Sequence, residues 1–419
     1  MRRHRNGQHP RGAVTAMAAG IILLALACSS CSQDPTEANA PTGSNALANG
    51  LIPVAFRDTT ITAIGDSTFK QFVPMDGRVN LVGRFNNRYT ALSALEFFGS
   101  TFPLRDTVTV LSAKLTLRAA SWFGDSTAHF GFTVYKINQG WNAITVQWDT
   151  VSASFYDGSV ARGTYSGAVG PDTQQVTVDL DTAMVRTWFQ NATTTTPNYG
   201  IVLIPDLSTN VVRGFHSFFA DSASKFPFLT VVATSPAGVG AVDTTTYASG
   251  QATFVGNIDN LNTNPALLYL QAGVVYRSTL QFDVSFIPRG AIINEASLRL
   301  RLDPGTSHLT RFSDSAAYAR MLFSSTDFSQ YDAIAPSEGK RLPGTPTTFA
   351  FDLRHEVQTW SRGPGTNFGL LLSATSSGLV GGTPDGEHTS FDLYAFSNTH
   401  AAADTLKPRL KIIYSVEKK

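Results

Sequence analysis

The sequence predicts an all-β protein made of two tandem β-sandwich domains of jelly-roll type, each closed by one short capping helix. Three observations predict it. Short runs that alternate apolar and polar residues recur along the chain, separated by Gly, Asn and Pro, and such period-two runs are half-buried strands. Amphipathic helical stretches longer than about ten residues, which a parallel α/β fold would need in alternation with its strands, are missing. Most of the pattern occurs twice, in the same order, in the two halves of the 419-residue chain, and self-similarity of this kind marks a repeated unit.

The repeat is built from four blocks. Ser93–Phe97 (SALEF) corresponds to Ser278–Phe282 (STLQF), with Leu95 and Leu280 on one face. Ser112–Leu117 (SAKLTL) corresponds to Glu295–Leu300 (EASLRL), with Leu115 and Leu298 equivalent. Val178–Trp188 corresponds to Phe351–Trp360; Val185 and Trp188, like Val357 and Trp360, are three residues apart. That spacing puts neighbours on one helix face, so a short helix with a core tryptophan is expected in each half. A loop then leads to Asn198-Tyr199-Gly200 or Asn367-Phe368-Gly369, a turn ahead of a buried strand. In the fourth block, Pro227 and Pro408 each enter a final strand, where the missing N–H is tolerated. Ile52–Leu81 has its mirror in Val242–Leu270. Residues 236–246, rich in Gly, Pro and Ala, read as a linker, which gives domains at 51–235 and 247–419.

The N-terminus carries an address. A basic stretch precedes an apolar run from Ala13 to Ala27, the layout of an export signal over residues 1–27. The run is short of the roughly 20 residues that a membrane-crossing helix needs. Leu24-Ala25-Leu26-Ala27-Cys28 resembles the lipobox of bacterial lipoproteins, with Ala25 where that motif prefers leucine. The resemblance implies acylation of Cys28 and attachment to the membrane through the lipid; Cys31, preceded by Cys28-Ser29-Ser30, fits the motif less well. A redox or metal role for Cys28-Ser29-Ser30-Cys31 would need a βαβ context or a second ligand pair, and neither is present. The chain has 2 cysteines in all, so the body is expected to stand without internal disulfides. Residues 28–50 are polar and aperiodic, a flexible tether. The serines after either cysteine resemble the sorting context of lipoproteins sent to the outer membrane.

Composition narrows the function. Lys and Arg total 32 against 31 Asp and Glu, so no overall field draws in nucleic acid, which is excluded as a partner. No H-E-x-x-H or G-x-S-x-G occurs; Gly163-Thr164-Tyr165-Ser166-Gly167 places its serine one position too late. His129, His216, His308, His355, His388 and His400 lack metal-ligand spacing. Asp179 and Asp181 lie on one face of a β-like run, as a glycosidase pair could, but Asp179 also precedes the expected helix, where a carboxylate caps N–H groups. No EF-hand run is present, so a loop-bound Ca²⁺ has no motif behind it, and no cofactor is expected. Sugar binding uses exposed aromatic platforms beside polar groups, for which Trp122, Tyr156 and Tyr165 are the candidates. Trp141 and Trp148 are seven apart, so on an unbroken strand they face opposite ways.

Lys114–Leu117, Val134–Ile137, Trp141–Trp148 and Val178–Trp188 together resemble the DNRLRE-type domain, an all-β module of secreted and surface bacterial proteins. The second half departs from it, with Leu322–Phe328 where the paired tryptophans should be. The resemblance implies a role among carbohydrate-binding modules, some directed at acidic polysaccharides. The expectation is therefore a non-catalytic surface lipoprotein that binds an extracellular polymer or an envelope partner. The competing expectations are a purely structural or adhesive envelope protein, and a polysaccharide lyase or glycosidase whose residues come from separate strands.

Overall fold

The computed structural model describes residues 54–418 except 72–74, 76, 98–107, 171–173, 189–197, 221, 235–241, 260–263, 311–315, 364–366, 375–378, 381–382 and 385–389. The expected signal segment 1–27, Cys28 and the tether 28–50 lie outside the described residues. Asp58–Tyr414 form one compact unit; Met1–Arg57 and Ser415–Lys419 form the other, of which residues 54–57 and 415–418 are described.

The fold is all-β, as the alternation predicts. The described chain opens on β1 (Val54–Thr62) and β2 (Gly65–Lys70). The first sheet takes in β3 (Val79–Phe85), β4 (Tyr89–Phe97), β5 (Val110–Gly124), β6 (Phe130–Lys136), β7 (Gly163–Gly167), β8 (Gln175–Asp179), β9 (Ile201–Pro205), β10 (Val211–His216), β11 (Phe228–Thr234) and β12 (Val242–Ile258). Its order is β12-β11-β5-β10-β3-β4-β9-β6-β7, with β8 on the free side of β5. Because β12 also pairs with β4, the sheet curls until it meets itself and encloses a core, in the manner of a sandwich. The second sheet takes in β13 (Leu267–Gln271), β14 (Tyr276–Gln281), β15 (Ile292–Arg301), β16 (Ala316–Met321), β17 (Ser337–Leu342), β18 (Thr345–Asp352) and β19 (Leu370–Ala374). A small ribbon, β20 (Leu379–Val380) with β21 (Thr383–Pro384), precedes its last members, β22 (Leu393–Ser397) and β23 (Arg409–Glu417). The order is β1-β23-β15-β18-β17-β16-β19-β14-β13-β22, with β2 on β14.

The two helices among the described residues are the expected ones. α1 (Thr182–Trp188) and α2 (Arg354–Ser361) follow β8 and β18 and bury Val185 with Trp188, and Val357 with Trp360, at the three-residue spacing. Strands β5 and β15 alternate as predicted: Leu115, Leu117, Leu298 and Leu300 are all buried. Around Leu115, a single core gathers Leu95, Phe132, Val178, Trp188, Leu203 and Leu229, side chains from both layers and from the helix.

The sheets do not divide where the composition places a linker. Residues 242–246 already belong to β12, which pairs from Val242 to Ala248 with β11 and, past a bulge at Ser249/Gln251, with β4. In the second half those two positions are filled from the other end of the chain: β1 lies on β23 and β2 on β14. The backbone repeats the arrangement in detail. Ser249 N–H donates to Pro227 O at 2.9 Å, and Ala63 N–H to Pro408 O at 3.1 Å. Within the expected mirror of 52–81 in 242–270, β1 and β2 thus correspond to β12, and these strands complete the half to which they do not belong in sequence.

The Asn-x-Gly turns are a second repeated device. Asn198 Nδ2 donates to Phe97 O at 3.1 Å while its Oδ1 accepts from Gly200 N at 2.8 Å. Asn367 does the same with Phe282 O at 2.7 Å and Gly369 N at 3.1 Å. Each asparagine ties the end of one strand to the start of the neighbouring one. Gly200 and Gly369 adopt φ of 80° and 88°, and a Cβ at Gly200 would lie 2.0 Å from Leu95 O.

Glycine conformation and glycine crowding can be separated by experiment. Gly344 shares the left-handed conformation, with φ of 74°, but a Cβ at that position would meet nothing within 4 Å. Gly344→Ala is expected to cost about 1–2 kcal/mol from the backbone conformation alone, and Gly200→Ala about 3 kcal/mol or more because backbone must also move. Urea midpoints of the two variants give the comparison, and equal losses would show that the close approach at Gly200 carries no cost. A second prediction concerns Glu356 in α2, which is 1% exposed. Its Oε1 accepts from Ser337 Oγ at 2.8 Å, whereas Oε2 has no hydrogen-bond partner. Burial raises its pKa above the ordinary carboxylate value, with the Ser337 bond opposing. A raised folded pKa contributes stability that is complete below the unfolded pKa and is lost as pH rises through the folded value. Glu356→Gln is therefore expected to match the parent near pH 4 and to unfold at higher denaturant at pH 8; an advantage that does not change with pH contradicts the assignment.

Candidate functional site

Trp122 stands in the part of β5 that has left β11 and pairs with β10, opposite Arg213. The change of partner turns this end of β5 out of the main core. Phe123 packs into a separate cluster with Leu81, Tyr89, Val212, Phe254, Val275 and Phe391, side chains from both halves. Trp122 remains half-buried beside the first core. The guanidinium of Arg213, buried to 1% exposure, lies 5.6 Å from the centroid of the Trp122 ring and donates to the carbonyl oxygens of Ser126 and of Val169, the latter at 2.6 Å. A desolvated cation over an indole attracts it by up to about 2 kcal/mol, so Arg213 helps to fix the ring.

Trp122 lines a cleft of about 330 Å³. Phe85, Trp122, Phe123 and Gly124 contribute from the first half, His308 and Thr310 from the second. Phe85 reaches the cleft from a tight hairpin: Asn86 and Asn87 both have φ of 52°, and Arg88 N–H closes the turn on Phe85 O at 3.1 Å, the I′ geometry that asparagines favour. Phe85 and Phe123 meet edge to face at 5.3 Å. On the opposite wall, His308 exchanges two backbone hydrogen bonds of 2.9 Å with Leu393, and Thr310 N–H donates to the buried Asp392 Oδ1 at 2.7 Å. The backbone is fixed on both sides, which leaves the exposed imidazole and the aromatic rings facing the opening.

The other two sequence candidates do not join Trp122 there. Tyr165, on β7, stacks on Phe132 at 5.7 Å and 22° and donates its hydroxyl to Ala168 O at 3.1 Å; burial raises its pKa. Tyr156 lies 5.5 Å from Tyr135 in a cluster on the outer face of β4 and β9. Trp141 and Trp148 belong to that same cluster. The stretch between them is not a strand: it is a loop ending in a single 3₁₀ turn, Trp148–Thr150. Alternation therefore does not separate the two rings, and both cover one surface, with Trp141 Nε1 donating to Tyr199 O at 2.8 Å.

The acidic pair is engaged structurally. Asp181, rather than Asp179, caps α1 through Ala183 N–H at 2.8 Å and pairs with Arg162 at 2.5 Å; the exposed Asp179 reaches Lys114 at 3.4 Å. In the second half α2 begins at Arg354, the counterpart of Asp181, and Asp352 accepts the Arg354 N–H at 3.2 Å. Among the described residues no three His, Cys, Asp or Glu side chains are placed to hold a metal ion. Phe85, Phe123 and His308 were invisible as site residues in the sequence, since each owes its place to a partner distant in the chain. The Asn86-Asn87 turn was the one local signal that fixed Phe85.

No family model matches the chain, and no curated protein matches it. A chain in the structure of infectious bursal disease virus Gt strain is 12% identical, the match covering 87% of this chain and 78% of that one at a TM-score of 0.10. A chain in the 3.5 Å cryo-EM structure of the Sputnik virophage is 11% identical, covering 87% of this chain and 85% of that one at a TM-score of 0.08. At these scores neither carries an argument about fold or function.

Proposed function

We propose that this chain is a non-catalytic, lipid-anchored protein of the bacterial envelope, exported to the outer membrane, that binds an extracellular polysaccharide at the Trp122 cleft. The observation that carries the reading is the half-exposed indole, backed by Arg213 and flanked by Phe85 and His308 in an open cleft of about 330 Å³. A pyranose ring is flat and apolar on its C–H faces and polar at its edges, so it fits one aromatic platform with a few polar groups beside it. The volume suits a sugar unit or two, and the open mouth suits a chain that continues past the site. The DNRLRE-type resemblance supports the same class of ligand. It implies acidic sugars among others, whereas the lining among the described residues, Phe85, Trp122, Phe123, Gly124, His308, Leu309 and Thr310, holds no Lys or Arg. A neutral polysaccharide is the better match.

The test is a glycan array probed with the full mature chain, followed by titration of any hit. A neutral saccharide is expected to bind, and Trp122→Ala is expected to weaken it about tenfold or more, the scale of losing a central aromatic anchor. Trp122→Phe should recover part of the loss, and Tyr156→Ala should leave affinity unchanged. Incubation with the bound saccharide is expected to release no shorter products. A blank array, or binding indifferent to Trp122→Ala, would overturn the reading.

A further inference from the structure

The exchanged strands β2 and β12 are held against one another by backbone on both sides of one point. Lys70, the last residue of β2, is placed by its pairing with Tyr276, and Gln71 N–H donates to Val275 O at 2.9 Å. Beyond β2, Met75 forms an isolated antiparallel bridge with Phe254 of β12. Two residues further along β12, Gly256 approaches the second half so closely that a Cβ there would lie 2.2 Å from Gly273 O. Asn257 comes next. Lys70 Nζ donates to Asn257 Oδ1 at 2.5 Å. Because a C=O bond is about 1.23 Å long, that nitrogen is at most about 3.7 Å from Asn257 Cγ, close to the roughly 3–3.5 Å of a near-attack pair. On the other side of the amide, Asn257 Nδ2 donates to Asp259 Oδ1 at 3.0 Å. Asp259 is fixed in turn, its N–H donating to Arg88 O at 2.8 Å. Burial lowers the pKa of Lys70, with Asp259 opposing, so more of the amine carries a lone pair than on an exposed lysine.

We infer that Lys70 and Asn257 join in an isopeptide bond, formed within the folded chain with Asp259 as the proton carrier. The lone pair of neutral Lys70 Nζ attacks Asn257 Cγ; the Nζ–Cγ bond forms and the Cγ–Nδ2 bond breaks. The Asp259 carboxylate takes the proton that Nζ sheds and passes it to Nδ2, which leaves as ammonia. Nothing is oxidised or reduced, and no co-reactant enters. A free amine attacks an amide very slowly in water, but a desolvated lysine held beside its electrophile, with a proton carrier on the leaving group, has the three things the step needs. The bond joins positions 187 residues apart and makes the strand exchange permanent. Disulfides cannot serve here, since the 2 cysteines are Cys28 and Cys31. None of the three residues lines the Trp122 cleft, so the bond and the polysaccharide reading stand or fall separately.

The test digests the full chain with trypsin under denaturing conditions and maps its peptides by mass spectrometry. One branched peptide is expected, joining the segment of Lys70 to that of Asn257, uncut after Lys70 and lighter than the two linear peptides together by one ammonia. Lys70→Arg, which keeps a donor to Asn257 Oδ1 but has no attacking amine, should abolish it. Asp259→Asn keeps an acceptor for Asn257 Nδ2 but cannot carry the proton, and is expected to slow the appearance of the branched peptide after synthesis about a hundredfold. A parent chain that gives only the two linear peptides overturns the inference, whether or not either variant folds. Loss of ammonia from Asn257 without the branch, as in a cyclic imide, counts against it equally. Branching at the parental rate in Asp259→Asn overturns the part assigned to that carboxylate.

Discussion

A backbone strand in the interior of a sheet must find partners for its N–H and C=O groups on both edges, because a buried unpaired group costs free energy on the scale of a lost hydrogen bond. In this protein β4 and β14 meet that demand only with strands from the opposite half: β12 along the whole of β4, and β2 along the whole of β14. The final strands β11 and β23 pair in turn with β12 and with β1, the strand that precedes β2. Neither half could close its ladder alone. Where the exchanged strands approach one another, Lys70 Nζ of β2 donates to Asn257 Oδ1 of β12 at 2.5 Å, and burial lowers the lysine pKa against the opposing attraction of Asp259. The shared cluster of Tyr89, Phe123, Phe254, Val275 and Phe391 adds apolar burial to the same junction. The halves thus lie in one compact unit, Asp58–Tyr414, and a ligand that touched both walls of a cleft within it would not have to bring two separate domains together.

The strand pattern was legible because each signal was local. Period-two alternation placed Leu115, Leu298 and their neighbours inside, the three-residue spacing placed Trp188 and Trp360, and Asn-x-Gly announced turns whose left-handed glycines and bridging asparagines recur in both halves. What the pattern could not convey was which copy of a repeated strand a segment would choose. β2 and the later part of β12 occupy equivalent positions, on β14 and on β4, so alternation alone does not say which of them a strand takes as its partner. The cleft was legible only in part for the same reason. Trp122 could be suspected from its residue type, but its exposure depends on β5 leaving β11 for β10, and its companions His308 and Thr310 come from the far half.

The two halves have diverged most where they meet. Strand β5 continues through Trp122 to Gly124, whereas its counterpart β15 stops at Arg301. The break is chemical: Asp303, Pro304 and Gly305 follow, and Asp303 Oδ1 accepts from the N–H groups of Gly305 at 2.8 Å and Thr306 at 3.0 Å, a turn that no continuous strand could contain. Pairing with the neighbouring strand survives only as isolated bridges, Leu302 with Phe396 and His308 with Leu393. Those bridges lie on the path that β5 follows alongside β10 in the first half. One end of the cleft is therefore an extended strand that presents an aromatic ring, and the other is the same strand interrupted so that an imidazole can stand out from it. The repeated scaffold thus carries an asymmetric cleft, with the indole from one half and the imidazole from the other, so under the proposed reading the two halves would not carry equivalent copies of this site.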